Sequence, residues 1–203
     1  MAKETGLREQ KKRQTRQALI EAALRLFDDQ GYDTATVTEI AAAAGVSPAT
    51  FFNYFASKEE VVFADQHLFA EVLPGVQASA DPAEPIGAFM LRAVRDLAAA
   101  GVWNIPLDDP LAAIRVRLIQ SAPSLRAAFL LRNAYLVDGW TRTAHEAYGG
   151  TVDVGEIATL VGAIAGGIAN ALQVNATADG RPHRPESEVA VEAAELVVRG
   201  FEA

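Results

Sequence analysis

Cysteine is missing from the chain, which removes disulfides and thiolate metal sites together. Histidine is scarce: His67, His145 and His183 stand far apart in sequence, and none makes a metal-ligand spacing with another. His145-Glu146 lacks the second histidine of a zinc helix. The segment Gly162-Ala-Ile-Ala-Gly166-Gly167 lacks the lysine and hydroxyl of a phosphate-binding loop and falls inside a helical pattern. Serines occur without a nucleophile elbow. Neither a metal, nor a cofactor, nor catalysis is therefore expected. No long uncharged apolar run opens the chain, so the sequence predicts no secretory signal, no membrane span and a cytoplasmic location. The stretch from Val152 to Ala178 comes nearest to a span, but Glu156 and its many small residues suit a buried helix better.

Also absent are alternating β-branched runs bounded by turn residues. Ala, Leu, Glu and Arg dominate instead, which predicts an all-α chain. With 203 residues, half of them apolar, one large or two small domains can bury a core. A first helix is expected from about Arg8 to Gln30, with Ile20, Ala23, Leu24 and Phe27 on one face and Gly31 at its end. Thr36-Val-Thr-Glu39 is a capping-box pattern that opens a short second helix to Ala44, ended by Gly45. Ser47-Pro48 supplies an N-cap and a first-turn proline for a third helix to about Phe55. Ser57 starts a fourth, running to Val72. Beyond Leu73-Pro74-Gly75 and Asp81-Pro82, helices are expected at about 83–100, 109–121, 123–148, 154–176 and 186–201, about nine in all.

The formal net charge of −8 is unevenly spread. Residues 1–25 carry seven Lys and Arg against three Glu, whereas from Val61 onward ten arginines face seventeen carboxylates. A basic head on an acidic body suits a small nucleic-acid module joined to another function; a solvated basic tail is the plainer alternative. The two short helices joined at Gly45 match a helix-turn-helix in length and punctuation. On the third helix Phe51 and Phe55 share one face, where Val37 and Ile40 can receive them, while Ala49, Thr50, Asn53 and Tyr54 lie on the opposite arc. Such an arc suits a major groove, although a helical hairpin inside a bundle gives the same pattern.

The segment from Thr15 to Lys58 resembles the DNA-binding domain of TetR-family regulators. The match is carried by Thr36-Val-Thr-Glu-Ile40, Ala44-Gly-Val-Ser47 and Thr50-Phe-Phe-Asn-Tyr-Phe-Ala-Ser-Lys58. The resemblance implies a homodimeric repressor that binds a palindromic double-stranded operator and leaves it when a small molecule enters the C-terminal domain. It implies a helix-turn-helix domain over 1–56 and a ligand-binding and dimerisation domain over 57–203. Thr36 and Ser47 would cap helices whose amides approach phosphates, Thr50 and Asn53 would face bases, and Tyr54 and Lys58 would bond phosphates. Lys11, Lys12, Arg13 and Arg16 would track the DNA backbone or reach the minor groove. Many family members carry tyrosine where this chain has Phe52, so here that contact is a thymine methyl or the sugar surface. Ala49 is silent in hydrogen bonding, and specificity would rest on Asn53, Thr50 and DNA shape.

In the body, Ile157, Leu160, Val161, Ile164 and Ile168 form one apolar stripe, and Val189, Ala193, Leu196 and Val197 another. Gly162, Gly166 and Gly167 add a small-residue face. Internal packing or a dimer interface would account for these, and the resemblance favours the interface. His67, Phe89, Trp103, Phe129, Tyr135 and Trp140 are candidates to line a largely apolar effector pocket, although each taken alone is more simply explained as core. Arg115 and Arg117 suit surface ion pairs or a clamp for an anionic ligand. Phe51-Phe52-Asn-Tyr54-Phe55, together with the segment Arg115 to Arg126, also resembles a subgroup thought to sense acyl-CoA-type molecules. A helical partner-binding protein without ligand sensing is the alternative from another functional class.

Overall fold

The computed structural model describes residues 2–64, 67–103, 109–176 and 180–201, with side chains except those of 2–5, 7 and 67–70. The described residues form ten helices and no strand beyond an isolated bridge between Ala176 and Pro182. The head comprises α1 (Ala2–Gln30), α2 (Val37–Ala43), α3 (Pro48–Phe52) and α4 (Lys58–Val62). The body comprises α5 (His67–Ala78), α6 (Ile86–Ala99), α7 (Pro110–Ser121), α8 (Pro123–Tyr148), α9 (Val154–Asn175) and α10 (Glu186–Phe201).

Two boundaries differ from the sequence expectation. The fourth helix, expected over 57–72, is two elements, because α4 closes at Val62 and α5 begins at His67. The proline of Leu73-Pro74-Gly75, expected to begin a loop, lies inside α5. Proline removes one helical hydrogen bond, but here Pro74 and Gly75 face solvent. Val72, Leu73 and Val76 meanwhile pack on the body core and hold the last turn in place.

Helical spacing on α1 buries Leu19, Ile20, Ala23, Leu24 and Phe27 along one stripe. Against it pack Ile40 and Ala41 of α2, Phe51 and Phe55, and Val61 and Val62 of α4. This core does not stop at residue 56: Ile114 and Leu118 of α7 and Leu125 of α8 complete it. Arg117 of α7 also reaches Asp28 of α1 at 2.6 Å. The head is therefore seated on the body through shared apolar packing.

A second core gathers Phe89, Met90, Ala93 and Leu97 of α6, Trp140, Ala144 and Tyr148 of α8, and the inner faces of α9 and α10. The Tyr148 hydroxyl donates to the Asp81 carbonyl at 2.9 Å, which ties the α5–α6 connection to α8. Among the described residues α9 alone is long and apolar enough to cross a membrane by length and composition. Its inner stripe, Ile157, Leu160, Val161, Ile164 and Ile168, is instead buried against the rest of this core.

Phe51 is the fully buried ring through which α3 meets the rest of the head. Phe51→Ala should destabilise the protein by about 3–5 kcal/mol, because the remaining cavity cannot collapse among helices held at both ends. A urea unfolding midpoint close to that of the unmodified chain would show the head to be held some other way.

Candidate nucleic-acid interface and effector cavity

The turn between α2 and α3 is built as its residues require. Gly45 adopts φ +70°, a conformation that side-chain-bearing residues rarely take. The Val46 amide then donates to the Ala41 carbonyl at 2.9 Å and closes the end of α2. At the start of α2, the Thr36 hydroxyl accepts from the Glu39 amide while the Glu39 carboxylate accepts from the Thr36 amide, a complete capping box. The hydroxyl and amide of Thr36 hold the Glu39 carboxyl below its usual pKa range. Ser47 caps α3 by accepting from the Thr50 amide at 3.1 Å, and the two hydroxyls lie 2.9 Å apart.

The third helix is shorter than expected: Asn53 is its C-cap, and the Tyr54 and Phe55 amides both turn back to the Phe51 carbonyl. Phe51 and Phe55 face inward as anticipated. The outward arc is Ala49, Phe52 and Asn53, with Thr50 half-buried beside them. Phe52 is 56% exposed and stands edge-on to Phe51. Tyr54 departs from the expected arc. The chain has left the helical path by then, and its ring packs on the head core and lines the cavity described below.

The cations divide into two groups. Lys11, Lys12 and Arg13 are exposed on the first half of α1, on the same head as the outward arc. Lys58 and Arg16 turn inward, against the sequence expectation that they meet phosphates. The Lys58 ammonium donates to the carbonyls of Tyr32 at 2.6 Å, Ala35 at 3.1 Å and Asp33 at 3.2 Å. An ammonium has three hydrogens, so this set uses them all. The same nitrogen sits 4.5 Å from the centre of the Tyr32 ring. Burial, then the charges of Glu59 and Asp33, push the Tyr32 hydroxyl pKa up to about 12. Arg16 donates to the Ala64 carbonyl at 2.9 Å.

Between head and body lies a cavity of about 1400 Å³. Of the residues anticipated from sequence, Trp103, Arg115, Phe129, Tyr135 and Trp140 line it. Phe89 does not; it is fully buried between Trp140 and Tyr148 as core. The side chain of His67 lies outside the described residues. Arg117 is engaged with Asp28 at the head–body junction instead. Sequence reasoning missed the head's own share of the wall, which includes Tyr54, Phe55 and Phe63, because Tyr54 read as a DNA contact, Phe55 as core, and Phe63 carried no signal of its own. It also missed Glu186 at the start of α10, a single carboxylate in a loop-to-helix step. Burial raises the Glu186 pKa, and the charge of Arg115 opposes that rise. Among the described residues no group of His, Asp or Glu can hold a metal ion.

The expected dimer stripe needs correction. Ile157, Leu160, Val161, Ile164, Ile168 and Val189 are buried within the subunit, because a helix packed on its own core turns its largest apolar residues inward. Ala193 and Val197 are half-buried, and only Leu196, 67% exposed, stands clear. The outward face of α9 is made of small residues: Thr159, Gly162, Ala163, Gly166 and Asn170, ending at Val174, which is 81% exposed. A Cβ at Gly162 or Gly166 would meet nothing within 4 Å, whereas one at Gly167 would press on Val197 at 3.3 Å.

Comparison with known proteins places this geometry. Residues 19–64 match the family model described as bacterial regulatory proteins, tetR family. The HTH-type transcriptional regulator TcmR of Streptomyces glaucescens is 42% identical over 135 residues, 63% of this chain and 58% of that protein. The chain thus covers less than two thirds of the length of the regulators it matches. Among solved structures, a putative TetR-family regulator from Mesorhizobium loti superposes with a TM-score of 0.57 at 21% identity, over 92% of this chain and 94% of that one. Thermus thermophilus FadR, a TetR-family repressor solved with lauroyl-CoA, gives 0.54 at 22% identity, over 91% and 94%. At such identities the likeness shows the fold.

Lys58→Met removes a charged donor from three carbonyls while keeping most of the side-chain bulk. It should lower stability by about 1.5–3 kcal/mol, the range for hydrogen bonds to charged groups, measured as a lower urea midpoint. An unchanged midpoint would return Lys58 to the surface cations.

Proposed function

We propose that the protein, whose residues 19–64 match the tetR family model, is a dimeric, sequence-specific DNA-binding transcriptional regulator. It represses by occupying a palindromic operator in the cytoplasm, and an effector in the cavity releases it. The observation that carries this reading is the exposed arc of Ala49, Phe52 and Asn53 beside Thr50, presented by a helix whose opposite face is buried. Phosphate binding falls to Lys11, Lys12 and Arg13, which face solvent on the same head. Thr36 and Ser47 support the arc as caps, and with few donors on it Asn53 and Thr50 supply the direct base contacts.

Dimerisation is assigned to the small-residue face of α9 together with Leu196, Ala193 and Val197. Two reading helices must then stand about 34 Å apart to enter successive major grooves on one side of the duplex. The cavity touches both head and body, so an occupant that fits better at another head angle favours a dimer of the wrong span. Moving such a pair of states from 1:99 to 99:1 takes about 5.5 kcal/mol of differential affinity. The effector is a largely apolar small molecule, since Trp103, Trp140, Tyr135 and Phe129 dominate the expected wall. Thermus FadR is solved with lauroyl-CoA. In this chain Arg117 is engaged with Asp28 and Arg115 shares its surroundings with Glu186, while Arg126 and Arg132 also line the cavity and keep an anionic group within its reach.

Selection of bound duplexes from a random library tests the reading directly, and a recovered palindrome is the expected result. Indifference to all duplexes at low ionic strength would overturn it. On the recovered site, Asn53→Ala should cost about 1–3 kcal/mol with a smaller loss on random DNA. Gly166→Leu should place a bulky side chain in the interface and shift sedimentation from dimer to monomer; a variant that stays dimeric would move the interface elsewhere.

A further inference from the structure

Arg16 lies on α1 just before Leu19, where the buried stripe of that helix begins among the described side chains, yet it does not point away with Lys11, Lys12 and Arg13. Its Nη2 donates to the Ala64 carbonyl at 2.9 Å, and its guanidinium carbon stands 5.1 Å from the centre of the Phe55 ring. One side chain thereby joins three pieces of the head: the long helix, the turn that closes the reading helix, and the end of α4. Arg16, Phe55 and Ala64 also form part of the cavity wall. Beside them Arg132 of α8 lies 4.6 Å over the ring of Phe63, a second guanidinium–ring pair, and this one joins the body to the end of the head.

We propose that Arg16 is a positioning residue, which sets the angle of the reading helix against α1 and the end of α4 and makes no phosphate contact. The argument is geometric. The planar fork holds its carbonyl partner in one direction and its stacked ring in another, which a flexible ammonium cannot do with equal definition. Phe55 is two residues beyond Asn53, so a rotation of its ring is transmitted to the base-facing arc through a single turn of chain. The guanidinium is also cavity wall. An occupant that offers a hydrogen-bond acceptor there competes with the Ala64 carbonyl and loosens the same joint. This inference rests on the DNA-binding reading above.

Salt dependence separates positioning from phosphate contact. The unmodified protein, Arg16→Gln, Arg16→Lys and Lys12→Ala are titrated with the selected duplex over a range of salt concentrations. Arg16→Gln should weaken binding about tenfold, the scale of one charge-assisted hydrogen bond, without changing the slope of log K against log salt. Arg16→Lys should recover part of the loss, and Lys12→Ala should reduce the slope by about 0.9. Arg16→Met serves the same comparison if circular dichroism shows the glutamine variant poorly folded. Phe55→Leu combined with Arg16→Gln should cost less than the two changes summed. A slope reduced by about 0.9 in Arg16→Gln would make this residue a phosphate ligand. Unchanged affinity would make it a structural contact without bearing on DNA, and either result overturns the proposal. Failure of the unmodified protein to bind DNA would instead overturn the functional reading on which it stands.

Discussion

The reading helix has five residues, too few to be helical by itself, since forming the first turn costs more than so short a run returns. Its existence and its direction are therefore set from outside, by Phe51 and Phe55 entering the core that Leu19, Leu24 and Phe27 of α1 provide. Ser47 and Gly45 fix where the helix begins, but neither fixes where it points. This dependence makes the head sensitive to its surroundings. Whatever moves α1, α4 or α7 moves the seat of α3, because all of them contribute to one apolar cluster. A longer, self-sufficient helix would keep its own axis; this one inherits its axis from its neighbours.

Punctuation was the most legible part of the sequence. Gly31 and Gly45 do take left-handed backbone, and Thr36, Ser47 and Ser57 do cap helices, because these roles are decided within four residues of chain. The inward face of α3 was legible for the same reason, spacing alone. The split after Val62 was not legible, since no glycine or proline marks it. Pro74 misled in the opposite sense, because a proline on the solvent side of a helix whose other side is packed loses one hydrogen bond and no more. Where tertiary packing outweighs a local preference, a local reading fails.

Charged side chains divide along the same line. Lys11, Lys12, Arg13, Arg16 and Lys58 look alike in sequence, all basic and all in the head. Only the fold distinguishes the three that face water from the two that satisfy backbone carbonyls. Arg16 and Lys58 act where the chain leaves helices: Lys58 gathers the carbonyls of the α1–α2 connection, and Arg16 takes the carbonyl beyond α4. Carbonyls in a connection such as residues 32–35 lie outside the helical ladder, and a cation that reaches them takes the place of water as donor. The cavity was half legible on similar grounds. Aromatic residues in the body suggested a pocket, but the head's share of its wall depends on how two cores meet.

The two faces of α9 carry the argument furthest. Glycine inside a helix is less favourable than alanine by about 1 kcal/mol, so three within six residues require an offset. Gly167 has one in the subunit itself, where it lets Val197 approach to 3.3 Å of the place a Cβ would occupy. Gly162 and Gly166 have none, since a Cβ at either would meet nothing within 4 Å. Beside them run Thr159, Ala163, Asn170 and Val174, a flat, largely apolar strip that ordinary solubility would fill with charge. The large residues of the same helix already serve the internal core and are not available to a partner. An interface proposed here must therefore work by close backbone approach across the glycines, with Val174 at the end of α9 and Leu196 of α10 as its bulky exposed residues. Such an interface fixes the distance between helices tightly, which is the property a pair of reading heads of defined separation requires.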